Sequence, residues 1–168
     1  MAFPYPQYRE QVTQLRRIPV DVAVPNGSWS SWLRLMVRER DEGNLDYRNR
    51  NEGHEGLYIH ENLPRSGVCG IYEWKIVNLH DAHTFVAYLG SSCNDGPSPL
   101  RNRILQYCRD GDHKHDLINY ALRNNCELHV RYREYNNVQH AVNAEHYLLG
   151  WYNYAWNDQR NGIRAPLR

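Results

Sequence analysis

The chain has 168 residues, of which 41% are hydrophobic, and its formal net charge is +1. This length suits one domain with a core and a small extension. The near-zero charge excludes a strong global field for nucleic acid or anionic membrane, so any basic surface must be local. Thirteen Tyr and five Trp against two Phe favour half-exposed functional surfaces, because Tyr and Trp join an apolar body to a polar group.

The four cysteines, Cys69, Cys93, Cys108 and Cys126, form no CxxC pair and no zinc-finger spacing. We therefore expect free, mostly buried thiols in a reducing compartment, which predicts an intracellular location, nuclear or cytoplasmic. The N-terminal sequence MAFPYPQYREQ lacks the apolar core of a signal peptide. No run approaches the about 18 apolar residues of a membrane span, so no membrane partner is expected.

Residues 1 to 55 are predicted to form a helical extension followed by a polar loop. The sequence SWSSWLRLMVRER, from Ser28 to Arg40, favours a helix with Ser28 as its N-cap. Its apolar residues recur at helical spacing, and they are Trp29, Trp32, Leu33, Met36 and Val37. The following DEGNLDYRNRNEGHEG (41 to 56) predicts a long surface loop.

Residues 56 to 168 predict an α+β domain. Strand patterns cover CGIYEWKIV (69 to 77), TFVAYLG (84 to 90) and ELHVRYREY (127 to 135). Helical patterns begin near Pro99, cover 112 to 125, and run from about 138 to 152. The order strand, strand, helix, helix, strand, helix predicts a small three-stranded sheet, antiparallel or mixed, flanked by helices.

One carboxylate interrupts the apolar pattern of the last predicted helix, AVNAEHYLLG. Four neighbours that share the helix face of Glu145 are apolar, namely Ala141, Val142, Leu148 and Leu149. An unpaired buried carboxylate costs several kcal/mol or acquires a raised pKa. The pattern therefore predicts that another group compensates the charge of Glu145.

Two tripeptides occupy the first two predicted strands, GIY ending at Tyr72 and YLG beginning at Tyr88. The next helix carries RILQY, in which Arg103 and Tyr107 stand at i and i+4. That spacing places both side chains on one helical face. The sequence thus gathers three tyrosines and an arginine on elements that follow one another along the chain.

Glu145 then lies on the last helix, and Asn157 follows it in YAWN. In this order the set resembles the GIY-YIG nuclease superfamily. The segments YIHENLPRSGVCGIYEW and EHYLLGWYNYAWNDQRNGIRAPL are also similar to the nuclease-like domain of the plant EFFECTOR OF TRANSCRIPTION proteins. The resemblance covers about residues 56 to 168. The cysteine-rich zinc repeats of those plant proteins are absent from this chain.

Three departures from the family pattern accompany the resemblance. The loop between the two tyrosine strands is long, and YIG is replaced by YLG. Many members have a Lys just after the second motif, where this chain has Ser91 and Ser92.

The resemblance implies a metal-dependent phosphodiester cleavage site. Glu145 would supply a hard oxygen ligand to one Mg²⁺ or Mn²⁺ that is otherwise mostly hydrated. Such an ion stabilises the leaving oxygen and the phosphate charge. Arg103 would donate to the non-bridging phosphate oxygens.

The remaining catalytic assignments also come from the resemblance. Tyr72 would position or deprotonate the attacking water, and Tyr88 would orient water or phosphate. Tyr107 would support Arg103 or contact phosphate, and Asn157 would fix the local scaffold by hydrogen bonds. A phenol has a pKa near 10, so a tyrosine base needs a nearby positive charge.

Further cationic side chains are candidates for nucleic-acid contact. They are Arg101, His113, His115, Arg131, Arg133, Arg160 and Arg164. A metal site in the HKH sequence at 113 to 115 is a weaker alternative, because neighbours at i and i+2 diverge on a helix. Solvated or packing roles remain open for the arginines.

The sequence therefore predicts a divalent-metal-dependent endonuclease acting on DNA, by nicking or by structure-specific cutting, with RNA as an alternative substrate. Two other interpretations stay open. The first is a catalytically inactive, nucleic-acid-binding or regulatory module of the same fold. The second is a partner-binding domain that uses the Tyr- and Trp-rich surface.

Overall fold

A computed structural model describes residues 29–38, 56–58, 63–64, 69–82, 84–94, 96–110, 114–151, 154 and 156–157. The strands are β1 (Leu33–Arg38), β2 (Gly56–Tyr58), β3 (Cys69–Asn78), β4 (Thr84–Ser92) and β5 (Cys126–Tyr135). The helices are α1 (Pro99–Asp110), α2 (His115–Arg123) and α3 (Val138–Trp151). Residues 1 to 28 of the predicted helical extension and residues 41 to 55 of the predicted loop lie outside the described residues.

The strands form one sheet in the order β2-β1-β5-β3-β4, and every adjacent pair is antiparallel. Four strands of six to ten residues make up most of it, and the three-residue β2 lies at one edge. The α+β class is therefore confirmed, whereas the expected three-stranded sheet is too small. The other edge is β4, the strand that carries YLG.

The predicted helix over residues 28 to 40 is wrong for residues 33 to 38, which form β1. This strand pairs with β5, with Leu33 opposite Val130. Leu35, Met36 and Val37 are all buried, so both faces of the strand meet other parts of the protein. An apolar run that is buried on both faces shows no period of two, and its spacing therefore imitates a helix.

Helices cover the sheet on both sides. Ile104 of α1 and Ile118 of α2 pack on the face that carries Tyr72 and Trp74, which we call the tyrosine face. On the opposite face, Leu148 of α3 joins a second cluster. That face also carries Glu73, Arg131 and Arg133, and we call it the charged face, because residues alternate between the two faces along a strand.

Two glycines allow the close packing of the tyrosine face. A Cβ at Gly70 would overlap the side chain of Leu100 and the carbonyl oxygen of Arg133. A Cβ at Gly90 would overlap the hydroxyl and Cζ of Tyr72. The glycines of GIY and YLG are thus explained by sterics, since only a residue without Cβ permits these approaches.

The four cysteines are free thiols, as expected. Within the described part of the chain, no helix is long and apolar enough to span a bilayer.

Candidate active site

Three tyrosine hydroxyls meet on the tyrosine face. The Tyr72 hydroxyl donates to the Tyr107 hydroxyl at 3.1 Å, and the Tyr107 hydroxyl donates to that of Tyr88 at 3.3 Å. The three ring centroids are 5.9 to 6.3 Å apart. β3 and β4 hold Tyr72 and Tyr88, and α1 brings Tyr107 across them. The result is a chain of hydrogen bonds, and we call these three residues the hydroxyl relay.

The hydroxyl relay is buried and uncharged. Burial raises the pKa of Tyr72 and Tyr107 well above that of a free phenol. One neighbouring phenol raises each pKa further, Tyr88 for Tyr72 and Tyr72 for Tyr107. Burial is also the main reason that the pKa of Tyr88 is raised. The positive charge of Arg103 opposes each shift but does not overcome it. All three hydroxyls are therefore protonated at neutral pH, which suits orienting a water molecule better than deprotonating one.

Arg103 lies one turn before Tyr107 on the same face of α1. Its Nη2 donates to the Tyr107 hydroxyl at 3.4 Å, and its guanidinium carbon lies 5.0 Å from the centroid of that ring. A second nitrogen, Nη1, donates to the side-chain oxygen of Gln106 at 2.8 Å. Because Arg103 is only partly buried, its guanidinium lies between the hydroxyl relay and solvent.

Glu145 lies at the edge of the buried side of α3. Ala141 and Leu148 on that side are fully buried, whereas Glu145 itself is half-buried. Its charge raises the pKa of Tyr88, as a smaller contribution than burial. The apolar neighbours thus anchor α3 on the sheet, and the carboxylate is only half-buried.

Asn157 binds the outer edge of β4. Its Oδ1 accepts a hydrogen bond from the Leu89 amide at 2.9 Å, and its Nδ2 donates to the Leu89 carbonyl at 2.8 Å. The Trp156 amide also donates to the Ala87 carbonyl at 2.8 Å. These bonds satisfy backbone groups that an edge strand would otherwise expose. They hold β4 on both sides of Tyr88.

A family of known proteins matches most of the chain. The family model "GIY-YIG domain-containing protein" matches residues 29–167. The chain belongs to the GIY-YIG domain family. This assignment confirms the resemblance that the tripeptides and the spacing of Arg103 and Glu145 predicted. It also includes residues 33 to 38 of β1, which lie before the segment in which the resemblance was found.

A curated relative of this GIY-YIG domain comes from a plant. "Protein EFFECTOR OF TRANSCRIPTION 2" of Arabidopsis thaliana is 26% identical over 153 residues, which cover 73% of this chain and 30% of that protein. The chain thus spans less than a third of that relative's length. No solved structure matches the chain.

A cation that the sequence interpretation missed lies beside the hydroxyl relay. Lys114 is 5% exposed, and its Nζ lies 5.3 Å from the centroid of the Tyr88 ring. It is the central residue of HKH, in which only the two histidines were predicted to contact nucleic acid or a metal. Since Ser91 and Ser92 stand where many GIY-YIG members have a lysine, Lys114 brings a positive charge to this site from another element. Nothing in the sequence except its position between two histidines indicated that Lys114 belongs to the site.

The charged face holds Arg131 and Arg133, both predicted to contact nucleic acid. Arg131 forms an ion pair with Glu73, with Nη2 2.6 Å from Oε1, and Glu73 also accepts a hydrogen bond from the Tyr154 hydroxyl at 2.5 Å. Glu73 is fully buried and Arg133 is 1% exposed. The Arg133 side chain therefore lies inside the protein in this conformation rather than on its surface. Glu73 was missed because its partner Arg131 is distant in sequence.

The structure describes only some of the other residues that were predicted to contact nucleic acid. Arg101 lies on α1, where its Nη1 donates to the Leu63 carbonyl at 3.3 Å. His115 begins α2, but its side chain is not among the described groups. His113, Arg160 and Arg164 lie outside the described residues.

A divalent ion is implied by the family, and the described residues suit a weakly held one. They contain no cluster of three or more His, Cys, Asp or Glu side chains that would cage an ion. Glu145 is half-buried and its charge acts on Tyr88, so it offers one hard oxygen ligand. Mg²⁺ keeps several waters and commonly takes only one or two carboxylates from a protein, which this donor set matches.

Proposed function

We propose that this chain is a divalent-metal-dependent endonuclease that hydrolyses DNA phosphodiester bonds, by nicking or by structure-specific cutting. The observation that carries the proposal is the contact of Arg103 with the hydroxyl relay, and the charge of Glu145, which acts on Tyr88, supports it. A phosphodiester cleavage site needs a placed nucleophile and stabilisation of the charge that develops on phosphate. The proposal goes with an intracellular location, nuclear or cytoplasmic.

Arg103 is the residue that would bind the scissile phosphate. Its planar guanidinium suits two non-bridging oxygens at once. The Tyr107 hydroxyl and the Gln106 side chain hold it in place, so little side-chain entropy is lost when phosphate binds. Lys114 adds a second positive charge, with its Nζ 5.3 Å from the centroid of the Tyr88 ring.

The tyrosines would place the attacking water. Tyr72 is 1% exposed and Tyr88 is 9% exposed, so the hydroxyl that reaches a water most readily is that of Tyr88. Tyr72 then acts through Tyr107 by fixing the direction in which the relay's hydroxyl protons point. Because burial raises the pKa of both residues, they orient the nucleophile and leave its proton to pass to solvent.

Glu145 is the residue that would hold one Mg²⁺ or Mn²⁺, which when bound supplies charge stabilisation at the leaving oxygen. Ala141 and Leu148 fix α3 on the sheet, and the charge of Glu145 on that helix acts on Tyr88. Asn157 keeps β4, and with it Tyr88, in position.

The test is incubation of supercoiled plasmid with the full chain and either Mg²⁺ or Mn²⁺. We expect conversion to nicked or linear DNA by the wild type and none by Glu145→Gln, which keeps the wild-type thermal unfolding temperature. Glu134→Gln is the matched control, since Glu134 is exposed on β5. Cutting by Glu145→Gln at the wild-type rate would refute the assignment.

A second candidate function is a DNA-binding regulatory module without turnover. Two observations favour it, the deep burial of Tyr72 and the name of the plant relative, an effector of transcription. It predicts salt-sensitive DNA binding by the wild type with no cleavage in either metal. The same plasmid assay, run beside a binding titration, therefore separates the two candidates.

A further inference from the structure

Three buried donor groups meet on the charged face without an acceptor among the described residues. Arg133 is 1% exposed, and its Nε, Nη1 and Nη2 make no hydrogen bond in the described part of the chain. The same holds for the Tyr135 hydroxyl and the Trp29 indole nitrogen. The guanidinium carbon of Arg133 lies 6.0 Å from the Trp29 ring centroid, and its charge lowers the pKa that burial raises in Tyr135. These three residues form what we call the donor cluster.

Positive charge surrounds the donor cluster. The guanidinium carbon of Arg131 lies 4.4 Å from the ring centroid of Trp29 and 4.6 Å from the ring centroid of Trp32. The Nζ of Lys75 lies 4.5 Å from the ring centroid of Trp32. Burial lowers the pKa of Lys75, and Arg131 lowers it further, as expected for a cation held among cations. Glu73 is bound to Arg131 through Oε1 and to Tyr154 through Oε2. Both of its oxygens are thus engaged with groups other than Arg133.

A buried guanidinium cannot relieve its charge by losing a proton. A buried charge without a counter-ion costs several kcal/mol, so buried charges in proteins are normally paired with a group of opposite charge. The donor cluster offers only hydrogen-bond donors, apart from the hydroxyl oxygen of Tyr135. The ligand that matches it is a compact anion with several acceptor oxygens.

We propose that Arg133, Tyr135 and Trp29 bind an oxyanion of the phosphate class on the charged face of the sheet. This site is separate from the hydroxyl relay, because residues 133 and 72 point to opposite faces of the sheet. It does not depend on the proposed cleavage activity. Its ligand is either free phosphate or a phosphate group of a bound nucleic acid.

The experiment compares thermal unfolding of the full chain in inorganic phosphate and in chloride at equal ionic strength. We expect phosphate to raise the wild-type Tm by roughly 4 °C or more at saturation. Arg133→Met is expected to have a Tm in chloride equal to or above that of the wild type and no response to phosphate, because it removes an uncompensated buried charge. Tyr135→Phe should weaken the phosphate response several-fold. Arg123→Met, at an exposed position of α2, should respond like the wild type.

Two results would overturn the site. One is a wild-type Tm that is the same in phosphate and in chloride. The other is a Tm for Arg133→Met in chloride that falls well below the wild type, which would mean that the chain itself supplies the counter-ion. Neither readout involves cleavage, so the site stands or falls independently of the plasmid assay.

The source of the oxyanion is decided in the Glu145→Gln background with a short single-stranded DNA. If Arg133→Met lowers DNA affinity and inorganic phosphate competes with the DNA, the site takes a nucleic-acid phosphate. If DNA affinity is unchanged while the Tm still responds to phosphate, the site takes the free ion. Both results support the oxyanion site.

Discussion

The two faces of the sheet solve the same problem, that of burying polar groups, in opposite ways. Tyr72 and Glu73 are consecutive on β3, yet they point to opposite faces. On the tyrosine face the buried groups are neutral hydroxyls that satisfy one another. On the charged face the buried groups are ions. The Glu73 carboxylate compensates the charge of Arg131, with its Oε1 2.6 Å from Nη2 of the arginine.

This difference determines how each face responds to the loss of one group. Removing a neutral hydroxyl strands a partner whose desolvation costs about 1–3 kcal/mol. Removing one member of a buried ion pair strands a charge and costs about 3–5 kcal/mol. The charged face should therefore be the more fragile of the two, although the proposed chemistry lies on the tyrosine face.

Glu73→Gln tests the charged face and should have the largest effect on stability of the three variants discussed below. The change keeps the size of the side chain but leaves Arg131 without its counter-ion and weakens the bond from Tyr154. We expect the free energy of unfolding, measured in urea, to fall by about 3–5 kcal/mol. Glu134→Gln on the same sheet, at an exposed position, should change it by less than about 0.5 kcal/mol. Equal losses in the two variants would remove the contrast between the faces.

Most of the fold could be predicted from local sequence patterns, and β1 shows why the rest could not. The patterns for β3, β4 and β5 and for the three helices match the structure to within a few residues. In LRLMVR the buried residues Leu35, Met36 and Val37 are consecutive, so periodicity does not distinguish a strand from a helix. The partner that decides is β5, which lies about a hundred residues later and leaves no trace in the local pattern.

The same limit applies to the candidate site. The motifs brought Tyr72, Tyr88 and Tyr107 into one hypothesis, and the structure places their hydroxyls together. Lys114 and Glu73 were missed, because their burial follows from contacts with distant elements rather than from spacing. The catalytic roles assigned through the family resemblance stay predictions.

Gly90→Ala tests how tightly the tyrosine face is packed. The new Cβ would overlap the hydroxyl and Cζ of Tyr72, so the ring must move and the hydroxyl relay must open. We expect a loss of about 1–3 kcal/mol in the free energy of unfolding, measured in urea. Gly150→Ala is the matched control, because nothing lies within 4 Å of its new Cβ and alanine favours a helix. It should be neutral or stabilising by up to about 1 kcal/mol, so destabilisation of the same size in both would mean that Tyr72 does not set the tolerance at Gly90.

Tyr107→Phe tests the neutrality of the tyrosine face and should have the smallest effect of the three. It removes the acceptor of Tyr72, the donor to Tyr88 and a bond to Arg103, and we expect a loss of about 1–2 kcal/mol in urea unfolding. Tyr147→Phe, at a position 44% exposed, should cost less than about 0.5 kcal/mol.

The pH dependence of this loss distinguishes hydroxyls from ions. Burial raises the pKa of Tyr107 in the folded protein above the value near 10 of the unfolded chain. The stability that the neutral phenol contributes is therefore fully present below about pH 10, and it is lost as the pH rises from there towards the folded pKa. The difference between Tyr107→Phe and the wild type should consequently be constant from about pH 5 to 9 in urea titrations. If the difference in unfolding free energy changed within that pH range, the hydroxyl relay would carry a charge. Both faces of the sheet would then bury charged groups.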